Sequence, residues 1–478
     1  MTNPQLPFDV AERVQRIENN LLTTDTFRNI STKRLTLLER MDVSKVPGVS
    51  IAVINDYQIE WARGYGLLEM GRTELVNTKS LFQCASISKP VAAVAALRLV
   101  ERGLLDLDED VNEKLIAWKV PPTTYTGKQG KESWQPRITI RQLVSHTAGL
   151  TVHGFPGYAY DEPLPSLLNI LDGTYPANTL AIRVDTLPGL QYRYSGGYCI
   201  LRQLLSDVTG KPFPALLREL VLDPLGMHDS TYEQPLPIEW THNAASAHRT
   251  AGKPIPGKWH TYPEMAPDGL WSNPSDLARF CIELQLAKAG KENALLSPTM
   301  VQQLFTPQAP ERGVDAIGLG VFLYGEGETA RFGHTGGNEG ISCQLMAYQN
   351  RGQGAIVMTN SDEGRPIIQD LLATIAEEYS WPDYRLAHPT PIDFDAYAPY
   401  VGEYEVRTGV QFTVVQRDKQ LFLQFMGEPA MQLFPLSETS YFTEAVNAEI
   451  AFEKDSNNHV TSLIFKQNER NISAEKKR

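Results

Sequence analysis

Ser86-Ile87-Ser88-Lys89 sets a hydroxyl and an amine three residues apart. On a helix that spacing puts both on one face, so the amine reaches the hydroxyl. A serine hydroxyl is a poor nucleophile until a neighbouring base or charge helps to remove its proton. Spacing alone carries little, because Ser473-Ala474-Glu475-Lys476 repeats it in a polar tail. Context separates the two. Ser86 stands where a loop enters a buried helix running to Gly103, whose N-terminus offers a free backbone N–H and a positive dipole end. The competing reading is an ordinary helix start.

Two further segments carry chemistry of a matching kind. Tyr194-Ser195-Gly196 follows Pro188-Gly189 and Tyr192-Arg193. A phenol titrates near ~10, but beside a cation it loses its proton more readily and shuttles it between nucleophile and leaving group. Taken alone, the triplet reads equally as structure. Phe332-Gly333-His334-Thr335-Gly336-Gly337 precedes a strand that starts at Ile341. Small residues there let an edge strand approach a substrate, and a backbone N–H at Gly337 pairs with that of Ser86 as an oxyanion hole. In isolation a glycine-rich turn explains this run as well.

The surrounding elements are those that would position such groups. Val10, Val14, Ile17 and Leu21 recur at helical spacing. Gly48–Ile54 and Ile59–Gly66 read as a hairpin around Asn55-Asp56. Ser86–Gly103 is a helix with Pro90 in its first turn and Gly103 at its C-terminal end. Ile138 to about Leu296 is mostly helical, and strand text returns at Gly320–Tyr324, Ile341–Tyr348 and Gly354–Thr359, followed by a helix over Pro366–Tyr379. Strands at both ends with helices between them imply a mixed α/β sheet assembled from distant segments. Pro382, His388-Pro389-Thr390-Pro391 and Pro399 mark a linker. Six short strands follow, at 411–415, 420–425, 431–436, 441–443, 449–453 and 460–466. Their regular spacing suggests a small antiparallel barrel or sandwich, a stabilising cap on the main domain rather than a gate. The division expected is an N-terminal helical segment at 1–30, a main domain at 31–385 and a small all-β domain at 395–478.

Composition narrows the partners. A net charge of −12 with no basic stripe argues against nucleic acid and anionic membrane. No apolar run approaches the ~20 residues of a membrane-spanning helix, and Met1–Val10 lacks the pattern of a secretory signal. Cys84, Cys199, Cys281 and Cys343 lack metal or disulfide spacing and read as reduced core thiols of a cytoplasmic protein. Asp106, Asp108 and Asp110 imitate a calcium loop, but Val111 and Ala117 stand where glycine and the bidentate glutamate are required. His146 reads as structural, and neither a zinc motif nor a phosphate or dinucleotide loop is present.

The order and spacing of the three segments resemble the Ser-x-x-Lys, Tyr-x-Asn and Lys-Thr-Gly boxes of class C β-lactamases and penicillin-binding proteins. Gly103–Val111, Ile138–Leu150, Asp223–Met227, Asp268–Ser272 and Asp276–Phe280 are similar to stretches of the wider β-lactamase-related serine hydrolases, which include D-aminopeptidases and family VIII esterases. The likeness spans about Pro47 to Tyr379. It implies a β-lactamase/transpeptidase-like antiparallel sheet with flanking helices and a helical subdomain, and a lipocalin-like C-terminal barrel. It implies that Ser86 is acylated, that Lys89 and Tyr194 manage protons, and that Gly196, His334, Thr335, Gly336 and Gly337 bind substrate. A small-molecule or short-peptide acyl substrate is then the partner, with no metal or organic cofactor; a homo-oligomer is left open.

The chain departs from the pattern twice. Gly196 stands where the family often has asparagine, and His334 replaces the lysine of the third box. A neutral imidazole supplies no permanent cation for a substrate carboxylate, and an unperturbed one gains its charge near ~6.5. Carboxylate-bearing substrates are therefore expected to bind better toward pH 5.5 unless Lys89 depresses the ring. Esters or amides are the expected substrates, with weak or absent β-lactamase activity. An acyltransferase on the same scaffold, or a non-catalytic penicillin sensor, is the alternative.

Overall fold

Gly48 to Gly66 folds into the first two strands, β1 (Gly48–Asn55) and β2 (Gln58–Gly66). Asp56 and Tyr57 both hold positive φ, 50° and 59°, the twist that a two-residue hairpin turn demands. The turn thus falls one residue later than Asn55-Asp56. The structure is a computed structural model, and it describes residues 8–22, 34–127, 130–291, 295–311, 314–382, 384, 398–417, 420–426, 430–435, 439–443, 448–455, 458–467 and 470–477. The described chain forms two compact units, Met1–Leu21 with Leu35–Asp383, and Leu22–Arg34 with Tyr384–Arg478. Most of the expected proline linker, 385–397, lies outside the described residues.

In the first unit six more strands complete the sheet: β3 (Ala309–Glu311), β4 (Val314–Ile317), β5 (Phe322–Tyr324), β6 (Arg331–Asn338), β7 (Ile341–Tyr348) and β8 (Gly354–Thr359). Their order is β2-β1-β8-β7-β6-β5-β4-β3, and neighbours run antiparallel. Val49 lies opposite Thr359 and Ile54 opposite Gly354, so distant segments meet inside the sheet. The Phe332–Gly337 run is itself strand, in register with β7 from Arg331↔Tyr348 to Asn338↔Ile341, rather than a turn before it. Beyond Gly333 its other edge has no strand partner among the described residues and faces the turn that carries Ser86.

Six helices matter for the site: α1 (Phe8–Asn19), α2 (Leu37–Ser44), α3 (Ser88–Glu101), α4 (Gly197–Thr209), α5 (Pro274–Lys288) and α6 (Gly364–Glu378). β1 and β8 are buried along almost their whole length, which requires cover on both faces. Ala52, Ile54, Ile356 and Met358 face the main core with Leu277, Cys281 and Leu284 of α5; α6 packs on β7 and β8. α3 is buried on every side through Leu97 because Val91-Ala92-Ala93-Val94-Ala95-Ala96 presents only small apolar groups. α1 buries Val10, Val14 and Ile17 and packs against α6. Arg40 of α2 makes a buried ion pair with Asp370 of α6 at 2.7 Å. All four cysteines are buried and unpaired. Among the described residues no helix is long and apolar enough to cross a membrane.

In the second unit eight antiparallel strands, β9 (Gly402–Arg407), β10 (Val410–Arg417), β11 (Gln420–Phe425), β12 (Met431–Pro435), β13 (Ser440–Thr443), β14 (Ala448–Lys454), β15 (Val460–Gln467) and β16 (Arg470–Lys476), close into a barrel. Alternate residues such as Phe412, Val414, Leu421, Leu423, Ile450 and Phe452 fill its interior. Ser473–Lys476 belongs to β16 and is not a polar tail.

Candidate active site

Ser86 sits in a short 3₁₀ turn, Ala85–Ile87, directly before α3. Ala85 ahead of it holds φ 46°, a left-handed conformation that costs a non-glycine residue roughly 1–3 kcal/mol. The surroundings enforce it. The Ser88 hydroxyl donates to the Ala85 carbonyl at 2.6 Å, and the Leu270 N–H donates to Ser88 Oγ at 2.9 Å. The Tyr232 hydroxyl donates to the Ser88 carbonyl at 2.6 Å. Ser88 is therefore fully buried and engaged, whereas Ser86 opens on a cleft of about 240 Å³.

Lys89, one turn along, is 2% exposed. Its Nζ donates to Ser86 Oγ at 2.9 Å, to the Pro267 carbonyl at 2.9 Å and to Asp268 Oδ1 at 3.3 Å. The Ser86 hydroxyl in turn donates to the same Asp268 oxygen at 2.9 Å. Burial lowers the lysine pKa, and the Asp268 carboxylate opposes that. The ammonium also lies 4.8 Å from the ring centroid of Tyr194, a cation–π distance.

Tyr194 and Ser195 enter the cleft just before α4. Tyr194 faces the Ser86 hydroxyl, which favours its ionised form, yet burial first and the Asp268 carboxylate second push its pKa well above 10. The phenol is thus a proton donor in the resting site, contrary to the ready loss of its proton expected beside a cation. His146 stacks on the Tyr194 ring with centroids 4.3 Å apart and accepts from the Ser195 N–H at 3.3 Å. Its structural reading becomes specific: it holds the tyrosine. Burial, then repulsion by Lys89 and His334, keeps His146 well below 6.5 and neutral.

His334, on β6, is 3% exposed and stacks on Phe322 at 4.4 Å. Its Nδ1 meets the Thr335 carbonyl at 2.7 Å, so that nitrogen carries the hydrogen. Burial, then Lys89, lowers its pKa to about 3 against the pull of that carbonyl. The expected gain of charge toward pH 5.5 is therefore corrected. The ring protonates near ~6.5 when unfolded but only near 3 when folded, so its neutral burial stabilises fully above ~6.5 and that contribution is lost as pH falls from ~6.5 toward 3. We expect the ratio of kcat/KM for a carboxylate-bearing ester to that for its neutral analogue to stay flat from pH 5.5 to 8. A clear improvement at pH 5.5 would contradict a neutral His334.

The cleft is lined by Ser86, Lys89, His153, Gly154, Phe155, Tyr194, Ser195, Asp268 and Gly337. Of the substrate-binding residues expected from the sequence, Gly337 lies on it, with open space where a Cβ would be. His334, Thr335, Gly336 and Gly196 do not line it. A Cβ at Gly196 would meet Ile182 at 2.8 Å, so that glycine is a packing position at the start of α4. A Cβ at Gly336 would lie 2.3 Å from the Cys84 carbonyl oxygen and 2.4 Å from Cys343 Sγ; its absence lets β6 press against the Ser86 turn. Gly336→Ala should destabilise by about 1–3 kcal/mol, the usual scale of overpacking, and slow acylation of Ser86. Denaturant titration beside a labelling time course checks both, and wild-type values in each would remove this role.

Five lining residues, His153, Gly154, Phe155, Ser195 and Asp268, were not among the expected site residues. His153 Nδ1 meets the Tyr194 carbonyl at 2.6 Å, and Arg193 donates to its Nε2 at 3.2 Å, which selects the Nδ1–H tautomer. The Ser195 hydroxyl is buried without a hydrogen-bond partner, one residue before the position where the asparagine was sought. Asp268 was noticed only inside a family-like stretch. Among the described residues no cluster of three or more His, Cys, Asp or Glu could hold a metal ion.

Comparison with known proteins gives the chain's family and its relatives in fold. The Beta-lactamase family model matches residues 36–378, and a second model, described as Domain of unknown function (DUF3471), matches 387–476. Penicillin-binding protein 4* of Bacillus subtilis (strain 168) is 25% identical over 433 residues, 82% of this chain and 87% of that one. Esterase EstB of Burkholderia gladioli is 30% identical over 192 residues, 39% of this chain and 47% of that one. Among solved structures, the octameric penicillin-binding protein homologue from Pyrococcus abyssi superposes with a TM-score of 0.62 at 20% identity, covering 95% of this chain and all of that one.

Proposed function

The chain belongs to the Beta-lactamase family, and from that premise we propose that it is a serine hydrolase that cleaves esters or amides, including short peptides, through an acyl-enzyme on Ser86. One observation carries the reading: a cleft-facing Ser86 hydroxyl within 2.9 Å of a buried lysine amine. Ser86 Oγ attacks the acyl carbonyl, and the Lys89 ammonium stabilises the charge that develops on Oγ. The Tyr194 phenol, kept protonated, gives its hydrogen to the departing alcohol or amine. Water then repeats the sequence on the acyl-enzyme. The Ser86 and Gly337 N–H groups form the oxyanion hole.

The charge of the cleft favours some substrates over others. Lys89 is matched by Asp268, and His334 is neutral above pH 5. Neither the lysine nor the imidazole is left to attract a carboxylate, so neutral esters and amides, D-amino-acid amides among them, are preferred to penicillins. Activity profiling with p-nitrophenyl esters, D- and L-amino-acid anilides and penicillins tests this. Turnover of the esters or anilides with slow or absent penicillin hydrolysis is the expected pattern. Adduct formation without turnover of any of them would favour a sensor instead.

A further inference from the structure

We infer that Asp268 is a catalytic residue of this centre, the group that receives the Ser86 hydroxyl proton as the nucleophile attacks. The inference rests on the reading of Ser86 as the acylated residue and adds a base to it. Lys89 meets three acceptors, Ser86 Oγ, the Pro267 carbonyl and Asp268 Oδ1. An ammonium has three hydrogens and no lone pair, so a lysine bound in this way has nothing with which to accept a proton. The hydrogen of Ser86 instead points to Asp268 Oδ1 at 2.9 Å. A carboxylate there is an acceptor only, and it is the base that the nucleophile already touches.

The backbone keeps this pair in place. The Asp268 N–H donates to the Met265 carbonyl at 3.2 Å, and the Asn338 side-chain amide donates to the Asp268 carbonyl at 3.4 Å. Two residues on, Leu270 N–H binds Ser88 Oγ at 2.9 Å, and the Leu270 carbonyl accepts from the Cys84 N–H at 2.8 Å. The loop bearing the carboxylate is thus fastened on both sides to the turn bearing the hydroxyl. Asp268 also lines the cleft, where a carboxylate that only balanced the buried lysine would not need to be.

The step balances without a co-reactant beyond substrate and water. As Ser86 Oγ bonds to the carbonyl carbon, its proton passes to Asp268 Oδ1. As the bond to the leaving alcohol or amine breaks, Tyr194 protonates the leaving atom. The proton held by Asp268 then returns to the phenolate through the water that enters the cleft lined by both side chains. In deacylation water loses its proton by the same route and Ser86 regains one.

Asp268→Asn keeps an oxygen acceptor of the same size and removes its basicity, and it separates two outcomes of opposite sign. Labelling of Ser86 by a fluorophosphonate, followed by intact mass, should slow at least ~100-fold. If Lys89 were the base, loss of its carboxylate partner would ease its deprotonation, and the variant would label as fast as wild type or faster; that result overturns the proposal. Asp268→Ala, shown folded by its melting curve, should regain labelling when sodium formate is added. A folded Asp268→Ala protein that formate does not restore equally overturns it. Failure of the underlying reading looks different: wild type itself would carry no adduct on Ser86.

Discussion

Replacing Ser86 with alanine should lower kcat by about 10⁴-fold or more on every substrate that wild type turns over, the scale on which loss of a nucleophile is felt. The fold should survive, because Ser86 Oγ bonds the Lys89 and Asp268 side chains and not the backbone of the turn. Ser88 holds that backbone, through Ala85 and Leu270. The contrast is itself informative. Ser88→Ala removes two buried hydrogen bonds and should reduce stability while leaving the nucleophile in place, so the two serines separate chemistry from architecture. Substantial residual turnover by purified Ser86→Ala protein, with an unchanged melting curve, would place the reaction elsewhere.

The second large effect concerns Lys89 and Tyr194. Lys89→Ala leaves the Pro267 carbonyl and the Asp268 carboxylate without their shared donor and removes the positive charge beside Ser86. We expect kcat to fall at least ~100-fold, the scale of a positioned acid–base or electrostatic group, which corresponds to about 2.7 kcal/mol of barrier. Tyr194→Phe should discriminate between leaving groups. The phenol is held protonated by burial and by Asp268, so its loss matters when the leaving atom must be protonated. Amide substrates should slow ~100-fold, while p-nitrophenyl esters, whose anion leaves unaided, should slow ~10-fold or less. Equal losses on both would argue against the phenol as the acid, and no loss on either would remove it from the mechanism.

Much of the frame was legible because local signals and tertiary fate agreed. Ile341–Tyr348 and Gly354–Thr359 are strands with the bounds their apolar text gives, since both lie in the sheet's interior, where nearly every residue is buried. The barrel shows the opposite limit. Its first and last strands, β9 and β16, escaped notice because Gly402–Arg407 buries Tyr404 and Arg470–Lys476 buries Ala474, too few apolar residues to make an alternation. β6 was half seen. Its glycines weaken strand propensity, yet a Cβ at Gly333 would strike the Leu345 carbonyl at 2.3 Å; the close approach that needs glycine also hides the strand.

The site divides in the same manner. Ser86 and Lys89 share one turn, so spacing brought them together. Asp268 lies on a loop far along the chain, and an aspartate before a glycine reads as a turn until the fold delivers it to Ser86. His153 and Ser195 are likewise placed by loops around α4. His334 was found and depression of its ring by Lys89 was foreseen as a condition, but a sequence carries no record of the burial against Phe322, which is the larger cause.

The central claim is that one hydroxyl, that of Ser86, becomes acylated. Treatment of the whole protein with a fluorophosphonate, followed by intact mass and peptide mapping, tests it directly. The account predicts a single adduct, on the peptide that contains Ser86, absent from Ser86→Ala. An adduct on Ser88, Ser195 or Ser473, or labelling that persists in Ser86→Ala, would contradict it.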